Sequence, residues 1–318
     1  MKAMKSRANT LSPPKQGVLK RMGKTIFRQR QLWLIALPGI IWYLIFAYGP
    51  MYGLVIAFQN YSPARGMLGG PWVGFKWFIQ FFESQFFWQL IRNTLLLSVY
   101  GLIFSFPVPI VLAVMFNEIK SGWFKRVAQS ISYLPHFIST VIIVGMVVNF
   151  LAPTGIVNTA IEALGGERVN FMMMPEWFRT IYTASGVWQT MGWSSIIYLA
   201  AISGIDAELY EAATVDGAGR LRQIWSITLP CIAPTIIILL IMNMGNLLSV
   251  GYEKIILMYN SLTYETADVI NTYVYRRGIG GGEFSFGTAV GLFQSVINLI
   301  VIVSVNRLSR RLTDTSLW

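Results

Sequence analysis

The sequence predicts an all-α, polytopic membrane protein with six transmembrane helices. Three observations carry this expectation. Of 318 residues, 54% are hydrophobic and only 12% are charged, about half the charge of an ordinary soluble domain, and the mean hydropathy is +0.55. Apolar stretches of bilayer-crossing length occur six times. Lysine and arginine gather in alternate connections between them. This composition excludes a soluble enzyme, a disordered chain and a repeat array.

The six stretches are 31–58, 91–116, 127–151, 178–203, 230–258 and 286–306. Each reads as a helix, because a membrane barrel would show alternating segments of about ten residues. Pro38, Pro50, Pro107, Pro109, Pro135 and Pro234 fall within them, tolerable where neighbouring helices satisfy the freed backbone groups. Gly49 with Gly53, and Gly287 with Gly291, have the spacing of close helix packing. Segments 1–30, 117–126, 204–229 and 307–318 hold 17 of the 25 basic residues. That bias places these segments, and both termini, on the cytoplasmic side. The net charge of +11 then reflects topology and anionic lipid, with no nucleic-acid partner.

The chain divides into a cytoplasmic basic arm (1–30), a six-span domain (31–310) and a cytoplasmic tail (311–318). Within the arm, 17–30 reads as a surface helix against the inner leaflet of the bilayer. No small-residue cleavage pattern follows 31–58, so the arm is expected to stay attached. Gly23-Lys24-Thr25 resembles the end of a phosphate-binding loop, but its first glycine is misplaced and no strand precedes it. ATP hydrolysis is therefore not expected of this chain.

The outer connections are 59–90, 152–177 and 259–285. The first carries nine aromatics from Trp72 to Trp88, the pattern of an interfacial belt, with a sugar-stacking platform as the alternative. The last has glycines at 278, 280, 281 and 282 and reads as a mobile loop. One cysteine, Cys231, and one histidine, His136, leave no internal disulfide and no zinc site. His136 reads as an interior histidine at the Pro135 kink.

The segment 205–234 is unlike a simple connector. Asp206 can cap a short helix over 207–214. Asp216-Gly217 breaks it, since glycine accepts positive φ. A second helix can run over 219–227, and Leu229-Pro230 turns the chain into the fifth span. Here Glu211-Ala212-Ala213, three residues, Gly217, nine residues, Ile227, one residue and Leu229-Pro230 resemble the EAA signature of binding-protein-dependent ABC importer permeases. Asp216, Ala218 and Pro234 fit its extension. Further stretches resemble the LplB/YteP type of polysaccharide-fragment and oligosaccharide permease. They are AFQNYSPARGMLGGPWVGFKWF (57–78), SYLPHFISTVIIV (132–144), GWSSIIYLAAISGID (192–206), DVINTYVYRRGI (268–279) and FSFGTAVGLFQSVINLI (284–300).

The resemblance implies a type I ABC importer permease fold and a transport subunit without catalytic residues, bound metal or cofactor. Its coupling loop, about 205–230, docks on a separate ATPase that binds ATP and magnesium. Glu211, Ala212, Ala213, Asp216, Gly217, Ala218, Leu229 and Pro230 are the implied coupling residues. Also implied are two ATPase subunits, a second and homologous permease forming a heterodimer, an extracytoplasmic solute-binding protein, and a site in the bacterial cytoplasmic membrane. The implied cargo is an oligosaccharide, with a simple sugar or sugar derivative as the alternative. An ion-driven transporter is the remote alternative, disfavoured because the spans carry almost no acids.

A sugar path needs ring faces and hydrogen-bonding amides. Trp188, Gln189, Trp193, Asn243, Asn246, Tyr252 and Glu253 supply them within the fourth and fifth stretches. Gln189 and Trp193 share a helical face at four residues' spacing, and Asn243 with Asn246 would form a polar stripe. Packing and interhelical hydrogen bonding are the competing roles.

Overall fold

The computed structural model describes residues 29–120, 122–313 and 315–318. The surface helix expected over 17–30 and the Gly23-Lys24-Thr25 string lie outside them, apart from positions 29 and 30. Among the described residues the fold is all-α, and the only β pairing is an isolated bridge between Gln59 and Trp72. The chain divides into two compact units, Met1–Leu54 and Val55–Trp318.

The first unit contains α1 (Arg30–Trp42), which winds more widely over Tyr43–Tyr48 and buries none of its residues. The second begins with a loop closed by that bridge and by the Trp77 indole N–H donating to the Gln59 carbonyl at 2.9 Å. Next come α2 (Lys76–Phe82), α3 (Phe87–Tyr100) and α4 (Pro107–Glu118). Between α3 and α4 the helix widens over Gly101–Ser105, and the Phe106 N–H donates five residues back to Gly101 at 3.1 Å. Pro107 explains the widening, because it lacks an N–H and its ring crowds the preceding turn.

The third expected stretch, 127–151, is not one helix. α5 (Trp123–Tyr133) stops at a tight turn over Leu134–Phe137 that contains Pro135. α6 (Thr140–Leu151) then starts afresh, with the Ser139 hydroxyl accepting from the Ile142 N–H at 3.4 Å. It is followed by α7 (Ile156–Ala163), then α8 (Pro175–Ser203), an unbroken helix of 29 residues. α9 (Ala207–Val215) and α10 (Arg220–Gln223) lead through Ile224–Thr228 into α11 (Leu229–Met244). Short helices α12 (Tyr252–Met258), α13 (Tyr264–Ala267) and α14 (Ile270–Val274) precede α15 (Phe284–Thr313).

Among the described residues five helical runs are long and apolar enough to cross a membrane: Arg30–Phe58, Phe87–Glu118, Thr140–Ala163, Arg220–Met244 and Phe284–Thr313. α8 matches them in length but is not among the five, because tryptophan, glutamine, serine and threonine recur along it. It is nevertheless the centre of the second unit. α4 makes its most extensive helix contact along α8, and α5 and α11 pack there as well. One buried cluster joins Ala113, Tyr198, Ile202 and Ile232 from α4, α8 and α11. Gly192 lets α5 come so close that any side chain there would strike the Ser132 carbonyl.

Two outer segments differ from expectation. The aromatic run from Trp72 to Trp88 splits: Phe81 is fully buried against Phe87, Phe286 and Phe293, while Trp72 and Trp88 stay exposed. The segment 259–285 is packed instead of loose. Asp268 is buried, accepts from Arg276 at 2.6 and 3.1 Å and from the Thr272 hydroxyl at 2.7 Å. Those hydrogen bonds hold the Arg276 guanidinium protonated beyond its ordinary range. The glycines serve geometry here. Gly278 abuts Gly287 backbone to backbone, and Gly282 has φ +70°. Of the Gly287 and Gly291 pair, Gly287 makes a close approach and Gly291 meets nothing within 4 Å among the described residues of its unit.

Candidate functional site

Two features stand out in the second unit: an exposed helix–turn at 206–228 and a cavity flanking α8. The helix–turn follows from its sequence. The Asp206 carboxylate accepts from the Glu208 N–H at 3.1 Å, satisfying one of the free donors at the start of α9. Gly217 ends the helix at φ +77°, which lets the Ala218 N–H reach back to the Ala213 carbonyl at 2.8 Å. Glu211, Ala212, Asp216 and Gly217 are exposed on this knob, with Ala213 and Ala218 half-buried. Val215 and Leu221 add uncovered apolar surface, at 88% and 75% exposure.

Leu229 and Pro230 lie elsewhere, in the first turn of α11. Pro230 does not turn the chain. The helix widens over Ile224–Thr228 just before it, which accommodates the missing N–H, and the helical run continues from Arg220 to Met244. Three residues missed at the sequence level brace the knob. The Tyr210 and Thr228 hydroxyls are 3.0 Å apart, and the Gln223 amide donates to the Thr214 hydroxyl and the Ala218 carbonyl at 3.0 and 3.1 Å.

The cavity, about 730 Å³, lies between α8, the 97–109 stretch and the end of α11 with the residues beyond it. Its size is in the range of small-molecule sites. Gln189, Trp193, Asn243 and Asn246 border it, and Trp188, Tyr252 and Glu253 do not. Trp188 is exposed elsewhere on α8, and Tyr252 stacks on Tyr275 at 5.5 Å between ring centres. The polar stripe is also interrupted, because α11 ends at Met244 and Asn246 sits in the following turn. Both asparagine amides donate to nearby carbonyls, Asn243 to Leu239 at 2.8 Å and Asn246 to Met242 at 3.4 Å. Trp193 stacks parallel to His136 at 4.7 Å and meets Phe137 edge-on, so it also secures the turn between α5 and α6.

The break after α11 forms one wall of the cavity. Its backbone is satisfied by side chains from other helices, as an unwound segment in apolar surroundings requires. Ser98 donates to the Leu247 carbonyl and Gln294 to the Leu248 carbonyl. Asn298 accepts from the Leu248 N–H at 3.0 Å, and Asn271 donates to the Val250 carbonyl at 2.8 Å. The same break delivers Lys254, which sequence reasoning passed over. Its ammonium borders the cavity, donates to the Tyr182 carbonyl at 3.3 Å and lies 5.2 Å from the centre of that tyrosine ring. A lysine within the apolar stretch 230–258 was itself the available signal. Among the described residues no cluster of His, Cys, Asp and Glu could hold a metal ion.

The second unit thus pairs a cavity bordered by amides, hydroxyls and an indole with an exposed helix–turn. Residues 105–314 match the family of binding-protein-dependent transport system inner membrane components. The polygalacturonan/rhamnogalacturonan transport system permease protein YteP of Bacillus subtilis (strain 168) is 45% identical over 94% of each chain. Protein LplB of the same organism is 44% identical over 92% of each. A solved bacterial ABC transporter that imports the acidic polysaccharide alginate contains a chain 49% identical to this one. It superposes with a TM-score of 0.85, covering 92% of this chain and 99% of that one. With two thirds of its length inside the family pattern and this fold beneath it, the chain belongs to the binding-protein-dependent transport system inner membrane components, and is a multi-pass transport subunit, not an enzyme.

Proposed function

We propose that this chain forms half of the translocation pore of an ATP-driven importer for oligosaccharides released from polysaccharides. The observation that carries the reading is the cavity beside α8, where amides, hydroxyls and the Trp193 ring converge in an apolar frame. Sugars need that combination of hydrogen-bonding groups and a flat face. The names of the relatives support it, since YteP serves polygalacturonan and rhamnogalacturonan transport and the solved transporter imports alginate.

In this reading α8 is a sixth crossing and both termini are cytoplasmic. The chain comprises a basic arm (1–30), the permease domain (31–310) and a tail (311–318). The exposed knob, with Glu211 as its polar anchor and Gly217 as its turn, docks on one of two ATPase subunits that bind ATP and magnesium. A different, homologous permease completes the pore. A solute-binding protein delivers cargo from outside, as in the alginate transporter solved with its loaded periplasmic protein. The test is uptake of labelled oligosaccharide fragments into proteoliposomes holding the purified complex. Uptake is expected to require ATP and the binding protein. Uptake driven by a proton or sodium gradient without ATP, or a complex with two copies of this chain and no second permease in native mass spectrometry, would refute the corresponding part.

A further inference from the structure

We infer that Lys254 selects cargo by charge, pairing with the carboxylate of a uronate residue as an acidic oligosaccharide passes through the cavity. The inference rests on the importer reading above and deepens it. Among the described residues Lys254 is the sole charged side chain bordering the cavity, and no acid borders it. The residue is only 9% exposed. A buried ammonium is costly unless it is paired, yet among the described residues Lys254 has no ion pair. Its neighbour Glu253 is exposed and does not border the cavity, and Asp268 is committed to Arg276.

Two further features argue against mere packing. An ammonium has three donors, and one hydrogen bond, to the Tyr182 carbonyl, is made within the chain. Lys254 stands in the first turn of α12, where the backbone dipoles favour an acid over a cation. The protein therefore buries a lysine at some cost, in the helix that follows the non-helical wall segment. A neutral sugar gives that charge no counterpart. A uronate gives it a charge-assisted hydrogen bond, and among the described residues no acid lines the cavity to repel the incoming carboxylate.

The experiment compares trigalacturonate with its carboxyl-reduced, neutral counterpart in the reconstituted complex, with the binding protein saturated by each. The wild-type complex is expected to import the acidic trimer at least about tenfold faster, the loss expected from one charge-assisted contact. Lys254→Met should bring the two rates together by slowing the acid alone, and Lys254→Arg should keep the preference. Equal rates for the wild type would overturn the inference without needing any variant to fold. So would a Lys254→Met complex that keeps the wild-type ratio, or that slows both trimers equally. If the wild-type complex shows no ATP-driven uptake of either trimer, the importer reading fails and this inference falls with it.

Discussion

The Tyr210 hydroxyl lies 3.0 Å from the Thr228 hydroxyl, tying the middle of α9 to the residue just before α11. Thr228 is buried and Tyr210 half-buried, so little solvent competes for the bond. In the proposed importer, force received by the knob passes to α11 partly through this link. Tyr210→Phe removes the hydroxyl and keeps the ring, at a cost of about 1 kcal/mol. Uptake per ATP hydrolysed should fall severalfold while the ATPase still copurifies. Unchanged stoichiometry in proteoliposomes would show that the bond only decorates the knob.

Glu211→Ala and Gly217→Val address the knob itself. Glu211 is exposed in the middle of α9, so truncating its side chain should cost the fold little. Gly217 holds φ +77°, so a β-branched residue there adds strain of about 1–3 kcal/mol. Both variants should insert in the membrane at normal levels and lose uptake. Normal uptake, with the ATPase pulled down at wild-type yield by both, would remove the coupling role.

Gly192→Ala tests the packing at the centre of the second unit. The added methyl meets the Ser132 and Tyr133 backbone of α5, which cannot rotate aside. Overpacking of this kind costs about 1–3 kcal/mol. A clear drop in the thermal unfolding temperature of the purified complex is expected. Gly291→Ala, facing open space within this chain, is the matched comparison and should leave that temperature unchanged. Equal behaviour of the two variants would contradict the close crossing of α5 and α8.

Trp193→Ala and Asn246→Leu probe the cavity wall from two sides. Trp193 contributes a ring already stacked on His136, and Asn246 contributes an amide in the turn after α11. Each should slow oligosaccharide uptake while the ATPase remains associated, with hydrolysis stimulated by the loaded binding protein becoming uncoupled from transport. Wild-type rates for both would mean that these groups serve packing and that cargo passes elsewhere.

Local chemistry made much of this protein legible in its sequence. Apolar length announced the membrane helices. The Asp206 cap and the Gly217 break form as their side chains dictate, because both act within one turn of backbone. The Glu211-to-Pro230 spacing carries the family resemblance, since all of its residues lie in one contiguous stretch of chain. Periodicity could not locate the breaks at 134–139 and 245–251. Apolar residues continue through both, and what permits the second is distant: Ser98, Asn271, Gln294 and Asn298 satisfy its backbone from other helices. The tertiary structure also decided which polar residues share a cavity. Gln189, Trp193, Asn243 and Asn246 converge, while Trp188 and Tyr252 turn away. Lys254 stands out in the sequence as a charge within an apolar stretch, but its place on the cavity is decided by the break after Met244, which brings it to face α8. Burial and the absence of a counter-charge are properties of the assembled helices, and no linear pattern contains them.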